Sequence, residues 1–234
     1  MTPAASSILA RLARALPPGT EPGPAAALAR WIELITAWNA RVDLTAARGD
    51  DELVDLMVAD AVLLAAHVPA GRRVVDVGSG AGAPGLPLAI LRPDLEVTLA
   101  EPLQKRVAFL RTTIGTLLQA GALPANAPRV ERARGEELVR AGRTFDVAIS
   151  RATLAPDAWL ELGAALTATG TRAARAREVW VLLAREPPPT RAGWRVDSDL
   201  RYRWPLTGAE RRAVRYVPSV EDATDVVDGG DSAP

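Results

Sequence analysis

The densest chemistry in the 234-residue chain lies between Val74 and Gly85, VVDVGSGAGAPG. A β-branched run ends at Asp76 and Val77, and glycines follow at 78, 80 and 82. A turn so rich in glycine lets backbone approach a ligand where a Cβ would obstruct it. Asp76 stands where a strand should end, able to accept hydrogen bonds from loop amides or from a ligand ammonium. A second acid, Glu101, follows the next apolar run, about 20 residues beyond the glycines, where a carboxylate can accept both hydroxyls of a ribose. That pair suits either a nicotinamide dinucleotide or S-adenosylmethionine. The glycine spacing separates them. A dinucleotide loop has Gly-x-Gly-x-x-Gly and presents a helix N-terminus to a pyrophosphate. Here the spacing is Gly78-x-Gly80-x-Gly82, and Pro84 and Pro87 occupy the start of the following helix. Both features favour S-adenosylmethionine, which has no pyrophosphate.

Such a loop works only at the edge of a sheet, and the flanking sequence supplies one. Apolar runs at Arg73–Val77, Glu96–Ala100, Arg129–Ala133, Phe145–Ser150 and Val179–Ala184 predict strands. Helical stretches at Leu86–Leu91, Leu103–Ala120, Glu136–Ala141 and Pro156–Leu166 alternate with them. The alternation predicts a doubly wound α/β fold, a mostly parallel sheet with helices on both faces. Tyr202–Leu206 and Arg212–Val217 are expected to pair as a closing hairpin. Before the first strand the period is helical: Ser6–Leu16, an interruption at Pro17 to Pro24, then Leu28, Trp31, Ile32, Ile35 and Trp38 on one face. A further helix, for which Asp50 or Asp51 is a candidate cap, ends at Pro69–Gly71. The expected organisation is an N-terminal helical extension over 1–70, an α/β domain over 71–218 and an acidic tail over 219–234 without apolar period, expected to be disordered.

Composition removes several alternatives. Cysteine is absent, which excludes disulfides and thiolate metal sites, and a single histidine, His67, removes the usual zinc sites, so no metal is expected. His67 near a helix end suits a surface role better than catalysis. Trp31 and Trp38 suit a core better than a base-stacking platform. No apolar stretch reaches membrane-spanning length and no cleavable leader is recognisable, so a cytoplasmic, membrane-free protein is expected. Net charge is zero, so overall charge gives no argument for a nucleic-acid partner. The cations are concentrated in arginine, Lys105 being the only lysine.

The blocks beyond the loop resemble the RsmG (GidB) family of 16S rRNA guanine-N7 methyltransferases. They are DVGSGAGAPGLPLAI from Asp76 to Ile90, Arg92-Pro93-Asp94, EPLQKRVAFL from Glu101 to Leu110, Gly135-Glu136-Glu137 and FDVAISRA from Phe145 to Ala152. Trp38-Asn39 and Asp43-Leu44-Thr45 before the loop, and PLTGAER from Pro205 to Arg211 after it, stand in the same order, so the similarity spans roughly Leu28 to Val217. The resemblance implies a Rossmann-like class I S-adenosylmethionine methyltransferase, monomeric, acting on 16S rRNA or the small ribosomal subunit. It places Gly78, Ala83, Gly135, Glu136 and Arg151 on cofactor-binding positions, beside Asp76, Gly80, Gly82 and Glu101 from the loop itself. Glu101 stands where the family usually has Asp. Arg151 is the candidate catalytic residue, holding either the methionine carboxylate or the guanine. Lys105, Arg106 and Arg185 are candidate RNA contacts, electrostatic rather than sequence-reading. The basic run Arg172, Arg175 and Arg177 falls toward the same side.

Two departures concern the substrate side. Family members commonly carry Arg-His where this chain has Leu56 and Met57, ahead of Asp60-Ala61, and a lysine after the fifth strand, where Ala184 is followed by Arg185. They motivate a second reading, a divergent member that binds cofactor or ribosome with lost or altered rRNA methylation. Neither touches the expected chemistry. Guanine N7 carries a lone pair and the sulfonium is a strong methyl donor, so alignment rather than acid–base catalysis is required.

Overall fold

The computed structural model describes residues 3–123, 126–168 and 177–219. Arg172, Arg175 and the acidic tail from 220 lie outside them. Three helices come first: α1 (Pro3–Ala15), α2 (Pro22–Val42) and α3 (Asp50–His67). There follow β1 (Arg73–Val77), α4 (Gly85–Leu91), β2 (Glu96–Ala100), α5 (Gln104–Gln119), β3 (Arg129–Glu131), α6 (Gly135–Arg140), β4 (Val147–Arg151), α7 (Pro156–Leu166), β5 (Glu178–Leu183), β6 (Trp194–Arg203) and β7 (Glu210–Pro218). The seven strands form one sheet in the order β3-β2-β1-β4-β5-β7-β6. The first five are parallel and β7 runs antiparallel to β5 and β6.

Alternate strand residues face opposite sides, so each apolar strand feeds two cores. Val74, Val97, Leu99, Val147 and Ile149 pack beneath α2, α3, α4 and α5. Val75, Val77, Ala148, Val179 and Val181 meet α6 and α7 through Leu138, Trp159 and Leu160. The parallel strands are buried on both faces, which is why they read as continuous apolar runs. The helical extension is part of the first core, through Leu12, Leu28, Trp31, Ile32 and Ile35.

Several local expectations need correction. Pro22 and Pro24 do not precede α2 but lie in its first turn, where a missing N–H costs nothing and a fixed φ suits a helix start. Gly49, not Asp50 or Asp51, is the residue preceding α3, and its side-chain cap is absent; Arg11 pairs instead with both aspartates. The first strand of the closing hairpin spans Trp194–Arg203, earlier than Tyr202–Leu206, and Trp204 to Gly208 form the turn region. Trp31 is fully buried and Trp38 packs edge-on to Phe109, 5.7 Å between centroids, as core residues.

Strand order fixes where a ligand must go. β2 and β3 extend the sheet on one side of β1, while β4 and β5 extend it on the other. The reversal opens a crevice at the carboxyl ends of β1 and β4, the usual ligand position in open α/β sheets. Val77 with the glycine loop ends β1, and Arg151 ends β4.

Candidate functional site

The loop after β1 is anchored on both sides. The Gly78 and Ser79 amides donate to Ala100 O at the end of β2 (2.8 and 3.2 Å), and Gly82 N donates to Ser79 O (2.6 Å). Gly78 has φ of +74°, and a Cβ there would lie 2.2 Å from Thr153 Oγ1. Both the backbone conformation and the space therefore require glycine. Asp76 lies almost wholly beneath the loop. Its Oδ2 accepts the Gly85 amide (2.9 Å), tying the end of β1 to the start of α4, while its Oδ1 is buried without a hydrogen-bond partner. Burial pushes its carboxyl up to about 7 against opposing pulls from the Gly85 amide, Arg151 and Ser79.

Glu101, 2% exposed at the end of β2, reaches back to the loop. Its Oε2 accepts Gly80 N (2.9 Å) and its Oε1 accepts Leu103 N (2.8 Å). The longer side chain thus closes the loop onto the start of α5, and each oxygen retains capacity to accept a further hydrogen bond. Gly135 and Glu136 open α6, where first-turn N–H groups have no intrahelical acceptor. A Cβ on Gly135 would meet Leu162 Cδ2 at 2.6 Å.

Gly78, Glu101, Gly135, Glu136 and Arg151 line a cavity of about 540 Å³, whereas Asp76 and Gly80 are not part of its lining. Pro102, Leu103 and Leu162 contribute apolar wall, and Leu103 is 54% exposed although it is a large apolar residue. Not every candidate reaches the cavity. Gly82 packs against Leu86 and Leu110, and Ala83 belongs to the core beneath the loop, so both shape the loop from behind. Arg106 lines the cavity and its Nη2 donates to Asp43 O (3.0 Å); Lys105 is exposed beside it and outside the lining. Arg185 is exposed after β5, in a separate cleft.

Arg151 stands between the cofactor-sized cavity and a second, of about 220 Å³, and lines both. Its Nη1 donates to the Leu56 carbonyl and to Asp60 Oδ2 (3.2 Å). Asp60, 2% exposed on α3, also accepts Tyr202 OH (2.6 Å) and Trp204 Nε1 (3.3 Å) at its Oδ1. Burial, reinforced by the Asp60 carboxylate, pushes the Tyr202 hydroxyl far up, so it remains a donor. One buried carboxylate therefore fixes Arg151 from below and ties α3 to the hairpin. Ala152, next to Arg151, has φ of +53°, an uncommon conformation for a residue with a Cβ and of the kind that gathers at functional sites. The second cavity is mainly apolar, walled by Leu56, Leu154, Pro156 and Leu182, with Arg211 at its rim stacked 3.8 Å from the Trp204 ring centre.

Asp60, Thr153, Tyr202, Trp204 and Arg211 did not emerge as candidates from the sequence. The only local signal was the acid at Asp60 within an otherwise apolar helical stretch.

Residues 25–174 match the family model described as GidB, rRNA small subunit methyltransferase G. The chain is 32% identical over 226 residues to ribosomal RNA small subunit methyltransferase G of Anaeromyxobacter sp. (strain Fw109-5), covering 92% of this chain and 99% of that one. The protein of the same description from Anaeromyxobacter dehalogenans (strain 2CP-C) is 37% identical over 163 residues, 69% of this chain and 73% of the relative. Among solved structures, TrmN from Thermus thermophilus aligns with a TM-score of 0.47 at 21% identity, over 77% of this chain and 53% of that one, a likeness too distant to bear on the site.

Proposed function

Because the chain belongs to the GidB family of rRNA small subunit methyltransferases, we propose that it transfers the methyl group of S-adenosylmethionine to N7 of a guanine in 16S rRNA. The observation that carries this reading is the position of Arg151 on the wall shared by the two cavities.

The larger cavity fits the cofactor on its own features. Glu101 offers a carboxylate at the sheet edge for the ribose, and exposed Leu103 with Pro102 and Leu162 offers an apolar seat for adenine. Gly135 and Glu136 offer amides to the base edge, and Gly78 admits the methionyl part close to backbone. The unpartnered Asp76 Oδ1 leaves a buried hydrogen-bonding oxygen at the base of the loop. When bound, S-adenosylmethionine supplies an electrophilic methyl on a positively charged sulfur.

The chain's part is alignment. In this reading the smaller cavity, of about 220 Å³, takes the base, and its apolar walls would exclude water from the guanine. Arg151 has donors left over after Leu56 O and Asp60, directed by a buried carboxylate that limits its rotation. It is placed to hold the methionine carboxylate and the guanine on adjacent sides. No residue need remove a proton, since neutral N7 already carries the attacking lone pair; the geometric effect is one of proximity. Leu56, which stands where family members usually have arginine, contributes a carbonyl to Arg151 and a side chain to the base cavity. In this reading the departure keeps a contact to Arg151 and changes only the wall of the smaller cavity.

The test is methyl transfer from radiolabelled S-adenosylmethionine to small ribosomal subunits lacking the native modification, followed by digestion. Label in 7-methylguanosine is expected; label elsewhere, or none, overturns the reading. Arg151→Ala should abolish transfer while the protein stays folded, because Tyr202 and Trp204 still donate to Asp60.

A further inference from the structure

Beside the base cavity lies a cleft of about 350 Å³ between the end of β5 and the hairpin, lined by five arginines, 185, 201, 203, 211 and 212, against two glutamates, 186 and 210. It shares Ala184, Glu186, Tyr202 and Arg211 with the base cavity, so the two are continuous. The whole chain carries no net charge, which makes this local excess a matter of placement rather than composition.

The hairpin's charges are sorted along its length. Toward one end, Asp197 and Asp199 are neutralised by Arg215 and Arg212. Toward the other, at the carboxyl edge of the parallel strands, Arg201 sits directly opposite Arg212, whose own partner is Asp199, and Arg203 sits opposite Glu210 and pairs with it at the exposed surface. Like charges facing each other across a strand pair are unfavourable. Among the described residues neither Arg185 nor Arg201 has a carboxylate within ion-pair distance, and both are exposed. Charged residues on β6 also discourage edge-to-edge pairing, but either sign would serve that purpose. Edge protection therefore explains charge on this strand; what it leaves unexplained is that the far-end arginines, Arg195 and Arg215, are matched by Asp197, whereas Arg201 at the cavity end has no carboxylate partner among the described residues.

We propose that this cleft holds the phosphodiester backbone flanking the target nucleotide, with Arg185, Arg201 and Arg203 as the phosphate contacts. The inference rests on the reading of the smaller cavity as the base site. A base seated there has its sugar and phosphates at the cavity's open rim, where Arg211 leads into the cleft. Arginine's fork suits phosphate oxygens. Such contacts bind without reading sequence, so the cleft would bring an unpaired RNA segment to the site and leave the choice of base to the cavity.

The experiment pairs RNA binding with turnover, using in-vitro-transcribed 16S rRNA for binding and unmodified small subunits for turnover. Arg201→Gln/Arg203→Gln is compared with wild type and with Arg30→Gln, an exposed arginine on α2 paired with Glu33. The double variant should bind RNA more weakly, and the slope of log affinity against log salt should shrink by about 1.4, at about 0.7 for each single-stranded phosphate no longer neutralised. KM for subunits should rise with kcat and S-adenosylhomocysteine affinity unchanged, and Arg30→Gln should match wild type. If wild type methylates and the double variant keeps its salt slope and KM, the cleft is not the backbone site while the proposed activity stands. If wild type fails to methylate but the double variant still loses RNA affinity and salt slope, the activity falls and the cleft stands. Wild type that neither binds RNA nor methylates subunits overturns both.

Discussion

A carboxyl buried as completely as that of Asp76 favours its protonated form, and desolvation holds it near 7 rather than the ordinary 3.8. The sign of the consequence follows from linkage. Between those two values the native state keeps a proton that the unfolded chain has released. The stabilisation from this group is therefore complete below 3.8 and is lost as pH rises through about 7. Asp76→Asn removes the titration, so the unfolding free energy of wild type from urea denaturation should fall relative to the variant across that window, by an amount of order 4 kcal/mol. Parallel pH profiles would show that Asp76 does not retain its proton. Gly78 gives a second residue-level expectation. Gly78→Ala combines a left-handed φ with a contact of 2.2 Å to Thr153, so it should destabilise by about 1–3 kcal/mol and weaken S-adenosylhomocysteine binding more than tenfold. Thr153→Ala introduced alongside should recover only part of either loss, because the backbone conformation remains; calorimetry and denaturation separate the two readouts.

At the scale of elements, α3 and the β6–β7 hairpin form a clamp around the smaller cavity. Asp60 holds Tyr202 and Trp204, and Asp55, fully buried on the same helix, accepts the Leu206 and Thr207 amides and the Thr207 hydroxyl. Asp55→Ala would leave those turn donors without an acceptor and should cost about 3 kcal/mol, with faster amide exchange at Leu206 and Thr207. Unchanged exchange there would mean that the turn is held by the strand ladder alone. This clamp also marks where sequence stopped being informative. The parallel strands were legible because burial on both faces leaves unbroken apolar runs such as Val179 to Leu183, and the ligand edge because glycines at 78, 80 and 82 have few other uses. β6 runs from Trp194 to Arg203 with charged residues alternating against less polar ones, a period-2 signal that lies upstream of the more apolar Tyr202–Leu206 stretch; as an edge strand it buries little, so apolarity marks its position poorly. Asp60 stayed hidden because its partner Tyr202 lies 142 residues away. Glycine spacing identified the loop but could not say that Gly82 and Ala83 face the core rather than the cavity.

Considered as a whole, the molecule does not use its N-terminal helices as a separable layer. Their apolar face is continuous with the core under β1 and β2, so deleting them would expose that core and report on folding rather than on the site. One atom offers a finer probe. Trp31 on α2 is fully buried, and its Nε1 donates to the carbonyl of Ala81, in the middle of the glycine loop, at 2.9 Å. The helical extension thus holds the loop from behind, on the face opposite the ligand. Trp31→Phe keeps a large aromatic ring in the core but leaves the Ala81 carbonyl without that donor, at a cost of about 1–3 kcal/mol. If the contact fixes the loop's shape, part of that cost must appear at the site, and S-adenosylhomocysteine affinity should fall several-fold under conditions where the variant remains fully folded. Denaturation gives the first quantity and calorimetry the second. Lower stability with unchanged affinity would make the extension a packing layer only. Lower values of both would show that it helps to set the loop that the rest of the sheet presents to its ligand.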